Sequence, residues 1–501
     1  VLKARAGTGK STTILGAAGG MRGESLLLAF NKAIAVELQE KLRAKNIPWN
    51  KATAATMHSA GLKAYRKTFP TVEIDSDRRK VSDILAQLVI MGRVPVEVQP
   101  FSSTVTQLVS LGKQTGIGLI THLDDVAAWM GIIDHFDLLD DEGAEKQRDN
   151  IVSAAAQALQ VNNAQTDFID FDDMVYLPLI HRVRFWRYDN VFVDEAQDTN
   201  TVRRLLVKAL LKPNGRVIAV GDDYQAIYGF AGADSDSLEL IRREFNAEVM
   251  PLTVTYRCPK AVVKFAQTWC PDYHAHPSAP EGVISSSTFE DFVKRPDLNG
   301  DSAILCRNTK PLVSVAFALI RAKVPCKIEG REIGDGLKKL ATKWNAIKTI
   351  NALHEKLEWY REREVAKAKA KKKESRIQQV NDQVDTLEVI MASCKEEGRH
   401  NVIDVVAYID RLFGDDVSGI LTLSTIHKSK GREFERVYWL DRAGTCPSQY
   451  AKQPWEQIGE RNLQYVAATR AKSELIDLSM PVAKKQGEII SAAATKVLAA
   501  A

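Results

Sequence analysis

The stretch ARAGTGKST, Ala4 to Thr12, fits the spacing of a phosphate-binding loop with Ala4 in the first small position. Gly7 and Gly9 let the backbone wrap tightly, so that the N–H groups of Ala6, Gly7, Thr8, Gly9 and the residues up to Thr12 can point at phosphate oxygens. Lys10 puts a point charge on the outer phosphates, and Ser11 offers a hydroxyl to Mg2+. A second stretch, VFVDEAQDT, delivers Asp194 and Glu195 at the end of an apolar run. Asp194 is placed to hold magnesium and Glu195 to polarise an attacking water, which together predict nucleotide hydrolysis. A third stretch, VGDDYQAIYGFAGAD, ends an apolar run in two carboxylates and then presents Gln225, Tyr228 and Phe230 on a glycine-rich loop. Alone it reads first as a turn with aromatics in a core, and only second as a sensor with a polar ligand on one side and flat apolar groups on the other.

These residues need elements to hold them. Short aliphatic runs, SLLLAF, NVFVDEA, RVIAVGDD and SAILCRN, are nearly continuous in Leu, Val and Ile and predict buried parallel strands. Helical patterns follow, as in NKAIAVELQEKLRAK and TNTVRRLLVKALLKP. This rhythm predicts an open α/β sheet, with ligands beyond the carboxyl ends of its strands. The rhythm breaks twice, at 59–150 and 325–415, where mainly helical patterns predict inserted segments. The expected architecture is therefore α/β with two parallel-sheet domains. The first comprises 1–58 with 151–252 and carries the phosphate loop, the second comprises 253–324 with 416–501, and each has a helical insertion. The basic block KAKAKKK, Lys367 to Lys373, reads as a solvated helix face or as a face for phosphates.

At 501 residues and 45% hydrophobic, the chain is long enough for several folded domains. No apolar stretch approaches the roughly 18 residues of a membrane span, so no membrane partner is expected and a cytoplasmic setting is. The six cysteines form no C-x-x-C pair, which argues against a zinc site or disulfide framework. A net charge of +5 neither requires nor excludes a polyanionic partner, because such a partner needs only one basic groove. The numbering opens on Val1 almost directly before the phosphate loop, so a segment is expected ahead of it.

The phosphate loop, VDEAQD, GDDYQAIYGFAGAD, TYRC, STIHKSKG and YVAATRAK occur in the order of the superfamily 1 DNA helicases of the UvrD/Rep type, and the chain resembles that family from Ala4 to Lys472. The segment LLLAFNKAIAVEL looks closest to the F-box DNA helicase branch. The resemblance implies two RecA-like domains, with ATP in the cleft between them and single-stranded DNA crossing both. It implies that Gln225 senses the terminal phosphate, that Tyr256 stacks on adenine, that Arg257 and Arg470 reach the terminal phosphate, and that Glu433 contacts the ribose. On the DNA side it implies Phe30, Asn31, Lys32, Thr56, His58, Tyr228, Phe230, Thr425, His427 and Lys428, a mixture of stacking and backbone-contacting residues suited to sequence-tolerant binding. Two departures stand out: Arg432 where the family usually has Leu, and Ala231 where it usually has Arg. The family's adenine-reading glutamine would precede residue 1.

The expected function is an ATP-dependent DNA helicase translocating on single strands, with 3′ to 5′ polarity implied by the resemblance. Its partners would be single strands and single-strand/duplex junctions, with protein partners through the insertions, in a nucleoid or nuclear setting and in DNA repair or recombination. Two rivals remain, a translocase that strips proteins from single strands without processive unwinding and a nucleotide-gated module that binds DNA junctions.

Overall fold

The computed structural model describes residues 1–480 apart from 140–141, 230–231, 235, 323, 371–373 and 415–419. Phe230, Ala231 and part of the KAKAKKK block thus lie outside the described residues.

The aliphatic runs form two parallel sheets. The first has six strands in the order Ala52–Thr56, Ser25–Ala29, Tyr188–Val193, Leu211–Gly221, Leu2–Ala4, Met250–Leu252. Alternate side chains of one strand serve opposite faces. Leu26 and Leu28 pack with the helices of the first insertion, whereas Leu27 and Ala29 pack with Ile14, Leu15, Leu38 and Leu42 of the helices Lys10–Gly20 and Lys32–Ala44. A sheet covered on both faces needs apolar residues at every position, which explains the unbroken Leu-Leu-Leu run.

The second sheet has seven strands in the order Val283–Ser287, Ala471–Leu478, Phe434–Leu440, Ser302–Cys306, Leu421–Thr425, Cys326–Glu329, Phe413–Gly414. Ile304, Leu423 and Tyr438 face a core shared with the second insertion, and Ala303, Leu305, Val437 and Trp439 face the core that contains Val262, Val466 and Ala467. That last core also holds Ala6 and Ile227 of the first sheet's loops, so the two sheets meet through packed side chains.

The insertions are helical. The helices of the first, together with those that follow it as far as Asp173–Ile180, are pinned by Asp173, fully buried between Lys80 at 2.7 Å and Lys113 at 2.8 Å. Burial works to raise the Asp173 pKa, but the two ammonium groups outweigh it and lower it. The second insertion is built on the pair Ile350–Ala370 and Glu374–Glu396, joined by Leu353, Leu357, Val384 and Leu387. Two short strands within 325–415, Cys326–Glu329 and Phe413–Gly414, hydrogen-bond to each other, and the former pairs with Leu421–Thr425.

Candidate nucleotide and strand site

The strand Leu2–Ala4 runs into the phosphate loop, which opens the helix Lys10–Gly20. Gly7 and Gly9 have φ of +69° and +85°, in the left-handed region that favours glycine. At Gly7 the need is also steric, since a Cβ there would sit 2.5 Å from Arg257 Cβ and 2.6 Å from Thr255 Oγ1. The second domain therefore grips the loop directly. Ala6 N donates to the Tyr465 hydroxyl at 3.0 Å, the Tyr273 hydroxyl donates to Ala6 O at 3.0 Å, and Tyr256 N donates to Gly7 O at 2.9 Å. Thr8 turns its hydroxyl inward to Arg5 O at 2.8 Å, while Ser11 is half-buried and Thr12 exposed.

Lys10 and Glu195 meet at 2.9 Å. Burial disfavours both charges, but each is stabilised by the other. The Lys10 pKa is raised by Glu195, Asp222 and Asp194 against its burial, and Glu195 is held down at about 2 by Lys10 and Lys430. The neighbouring Asp194 goes the other way, pushed up to about 6 by burial and by the Glu195 charge. Glu195 has φ of 50°, a left-handed conformation unusual for its residue type. Ser11 and Asp194 supply hard oxygen donors of the kind that suit magnesium. Among the described residues another donor group, His354, Glu358 and Glu388, brings ligand atoms within 4.8 Å on the second insertion. Arg361 engages those two carboxylates at 3.4 and 3.0 Å.

Gln225 is 4% exposed and held from two sides. Its Nε2 donates to Asp222 Oδ2 at 2.6 Å, and its Oε1 accepts from Arg470 Nη2 at 3.4 Å. Arg470 is fully buried, and burial followed by the nearby Arg257 lowers its pKa to about 10. Arg257 pairs with Glu433, so these two expected nucleotide residues hold one another. The departure at Arg432 is accommodated outside this cluster, where its guanidinium pairs with Glu329 at 2.8 Å and only its carbonyl accepts from Arg470. Tyr256 is 71% exposed on one side and lies against His276 at 4.8 Å on another, which leaves an open aromatic face. Lys430, Arg5 and Tyr465 were not singled out from the sequence, yet they bind this cluster together. Lys430 Nζ reaches Asp198 Oδ2 at 2.6 Å and Gln225 O at 2.7 Å from the opposite domain.

Among the described residues, the expected strand-contacting residues lie at or after the carboxyl ends of strands in the two sheets, Thr56 and Thr425 being the last residues of theirs. Phe30 and Tyr228 stack with centroids 5.6 Å apart and planes 10° from parallel, with Lys430 4.8 Å over Tyr228 and Arg203 5.9 Å over Phe30. Asn31 and Lys32 are exposed, and Asn31 Oδ1 caps the helix Lys32–Ala44 by accepting from Ile34 N at 2.9 Å. Thr56 does the same for Met57–Thr68, accepting from Ser59 N at 3.0 Å. These two side chains therefore have a helix-capping role of their own. Burial, followed by Arg203, lowers the His58 pKa to about 4, and burial with Arg307 and Lys430 lowers that of His427 to about 3. Thr425 is buried and accepts from Lys428 N at 3.4 Å, leaving Lys428 exposed on the turn. Phe171, 53% exposed, stands edge-on to His58 at 6.3 Å and adds an aromatic that its Asp-rich sequence context concealed.

Two parallel sheets closing on a glycine-rich phosphate loop, each carrying a helical insertion, define the class of two-domain RecA-like proteins. Residues 1–246 match the UvrD/REP helicase N-terminal domain, and residues 328–480 match the UvrD-like helicase C-terminal domain. The chain belongs to the UvrD/Rep-type helicase family. It is similar to DNA helicase II of Haemophilus influenzae, 29% identical over 174 residues, covering 30% of this chain and 24% of that protein. It is also similar to the ATP-dependent DNA helicase Rep of Salmonella typhimurium, 37% identical over 134 residues, covering 25% and 20%. Rep of Escherichia coli is 35% identical over 130 residues, covering 24% and 19%. The matched part thus spans about a quarter or less of the length of these curated relatives. Among the described residues no helix is long and apolar enough to cross a membrane.

Proposed function

We propose that the chain is an ATP-dependent DNA helicase that translocates on single strands, hydrolysing ATP between its two RecA-like domains. The observation that carries this reading is the convergence of Lys10, Glu195, Gln225 and Arg470 on one cleft, with Arg470 arriving from the second domain. Lys10 and Glu195 neutralise each other at 2.9 Å. The outer phosphates of ATP compete for Lys10, and the carboxylate so released accepts from the attacking water. Lys430 and the Gln197 amide, which also lower its pKa, favour the ionised form after Lys10 has turned to the phosphates. Ser11 and Asp194 would hold magnesium, which supplies charge neutralisation on the phosphates when bound. Gln225 orients the water or the terminal phosphate. Arg257 and Arg470 present forks to the transferring phosphoryl group, which couples hydrolysis to cleft closure. Tyr256 offers its exposed ring to adenine, and Glu433, paired with Arg257, is assigned to the ribose.

The same reading assigns Phe30, Tyr228 and Phe230 to the bases and Asn31, Lys32, Thr56, His58, Thr425, His427 and Lys428 to the rest of the strand path. The loop from Gln225 to Tyr228 then joins phosphate and strand, because one end contacts Arg470 and the other stacks on Phe30. We also propose 3′ to 5′ polarity, membership of the F-box-like branch through the segment from Leu26 to Leu38, and work on DNA in the cytoplasm or nucleus. The proposed partition keeps 1–58 with 151–252 and 253–324 with 416–501. The helical body of the second insertion would lie between the strands Cys326–Glu329 and Phe413–Gly414. Phosphate release with and without single-stranded DNA, followed by unwinding of duplexes with 3′ or 5′ tails, tests this function. DNA-stimulated release with unwinding of 3′-tailed duplexes is expected. Release without unwinding would favour the protein-stripping translocase, and absence of stimulation would leave only the junction-binding module.

A further inference from the structure

Arg5 is an unusual occupant of a phosphate loop, because it is 5% exposed and its guanidinium is engaged by three carboxylates. Nε donates to Asp272 Oδ1 at 3.0 Å and Nη2 to Asp272 Oδ2 at 2.7 Å, a two-point fork onto the second domain. Nη1 donates to Asp222 Oδ1 at 3.2 Å and also to Asp223, and the guanidinium lies 4.5 Å over the Tyr224 ring. Asp222, whose side chain is wholly buried, gives its other oxygen to Gln225 Nε2, and its N–H donates to Gln197 Oε1 at 3.0 Å. Gln197 in turn donates to Glu195. The next residue after Asp272, Tyr273, hydrogen-bonds the Ala6 carbonyl, so one short segment of the second domain grips both the Arg5 side chain and the adjoining peptide.

From this geometry we infer that Arg5 is a positioning residue that links movement of the second domain, sensed through Asp272, to the orientation of Gln225, set through Asp222. The inference rests on the ATP-hydrolysing reading above. Asp222 holds the Gln225 amide nitrogen, which turns the amide oxygen toward Arg470. The second oxygen of Asp222 accepts from Arg5 and from Tyr224 N at 3.3 Å, and of these two donors only Arg5 carries a charge and a link to the second domain. Lys10 already acts on Asp222 more strongly than Arg5 does, although its own partner should be Glu195 or a phosphate, and the direct hydrogen bond from Arg5 holds the carboxylate against that pull. A carboxylate drawn toward Lys10 would release Gln225 and compete with Glu195. The Asp272 fork adds the second half of the link, because any shift of the second domain relative to the loop must stretch or break it. A fork is directional in a way a lysine contact is not, so Arg5→Lys preserves the charge and loses the link.

The test measures steady-state ATP hydrolysis with and without single-stranded DNA, together with thermal melts. Asp272→Asn is the main variant, because its side chain is 46% exposed and its replacement leaves no buried charge unpaired. It should fold, keep basal hydrolysis and keep its KM for ATP within about twofold, while DNA-stimulated kcat falls about tenfold. Arg5→Met should lower basal kcat as well, and Arg5→Lys should recover basal kcat but not the DNA stimulation. A purely structural Arg5 would move the melting temperature and scale every rate together. Folded Asp272→Asn protein with unmodified DNA-stimulated kcat would overturn the inference, and so would a rise in KM with kcat intact. If the unmodified protein showed no hydrolysis at all, the functional reading itself would fall, and this inference with it.

Discussion

Glu195 shows how one residue is prepared for a task. Its left-handed backbone costs of order 1–3 kcal/mol in residues of this kind, and the conformation aims its carboxylate at Lys10. Glu195→Gln keeps the shape and removes the charge. Turnover should fall below about 1% while ATP binding, followed with a fluorescent analogue, persists. Hydrolysis at the unmodified rate in the presence of DNA would remove Glu195 from the reaction. The two half-buried histidines make a separate prediction. Their folded-state pKa values of about 4 for His58 and about 3 for His427 lie below the unfolded value, so the unfolded chain binds their protons first. Stability is then full above about pH 6.5 and is lost as pH falls toward 4, by up to about 2 kcal/mol for each histidine between pH 7 and 5. Melting temperature should drop across that window, and His427→Gln should flatten part of the drop. A pH-independent melting curve would contradict the burial. Lys10, Asp194 and Glu195 were legible in the sequence because each sits in a short pattern whose backbone dictates its position. Arg5 and Tyr465 were not, since the bond between Ala6 N and the Tyr465 hydroxyl joins positions 459 residues apart.

The turn that follows the strand Leu421–Thr425 carries coupling between the two sheets. Lys430 enters the first domain and is 7% exposed against an Asp198 that is 1% exposed. Lys430 stands within STIHKSKG, where two lysines two residues apart look alike in a sequence. Only the fold separates Lys428 on the surface from Lys430 in the cleft. Removing one partner of a buried pair costs about 3–5 kcal/mol, because the other charge is left uncompensated. Lys430→Met should therefore lower the melting temperature sharply, and adding Asp198→Asn should restore much of it. DNA stimulation of hydrolysis should stay lost in the double variant, because the Lys430 contact with the Gln225 carbonyl and its position over Tyr228 are also gone. Recovery of stimulation together with stability would reduce Lys430 to a structural role. The strands themselves were easily read, since Ser25–Ala29 and Ser302–Cys306 are buried at every position and aliphatic runs have few other uses. The caps at Asn31 and Thr56 were less so, because the same polar residues suit a helix start and a phosphate contact equally well.

At the scale of the whole molecule, the helix Pro454–Ala468 spans the distance between a clasp and the phosphate loop. Near its start Trp455 stacks on His135 at 5.9 Å and lies 6.4 Å from Phe136, both from the first insertion. Its ring also packs against Gly229, where a Cβ would come within 3.2 Å, beside the Tyr228 stack. Further along, Asn462 donates to Asp223 O and Ala226 O at 3.1 and 2.8 Å, Tyr465 holds the phosphate loop, and Arg470 follows the helix end. A helix of this length is a stiff rod of about 22 Å. Any motion that brings Arg470 to a bound phosphate must therefore move Trp455 across His135, and the clasp beside the strand path should open or close with each nucleotide cycle. The chain has eight tryptophans, so the useful signal is the fluorescence difference between the unmodified protein and Trp455→Phe. That difference should change when a non-hydrolysable ATP analogue binds the DNA complex. Trp455→Ala should release single strands about three- to tenfold faster, as expected for loss of an aromatic contact worth about 1 kcal/mol, with basal hydrolysis intact because the residue touches neither Lys10 nor Glu195. Unchanged release rates and a nucleotide-insensitive Trp455 signal would mean that the insertion and the second domain keep one fixed arrangement throughout the cycle.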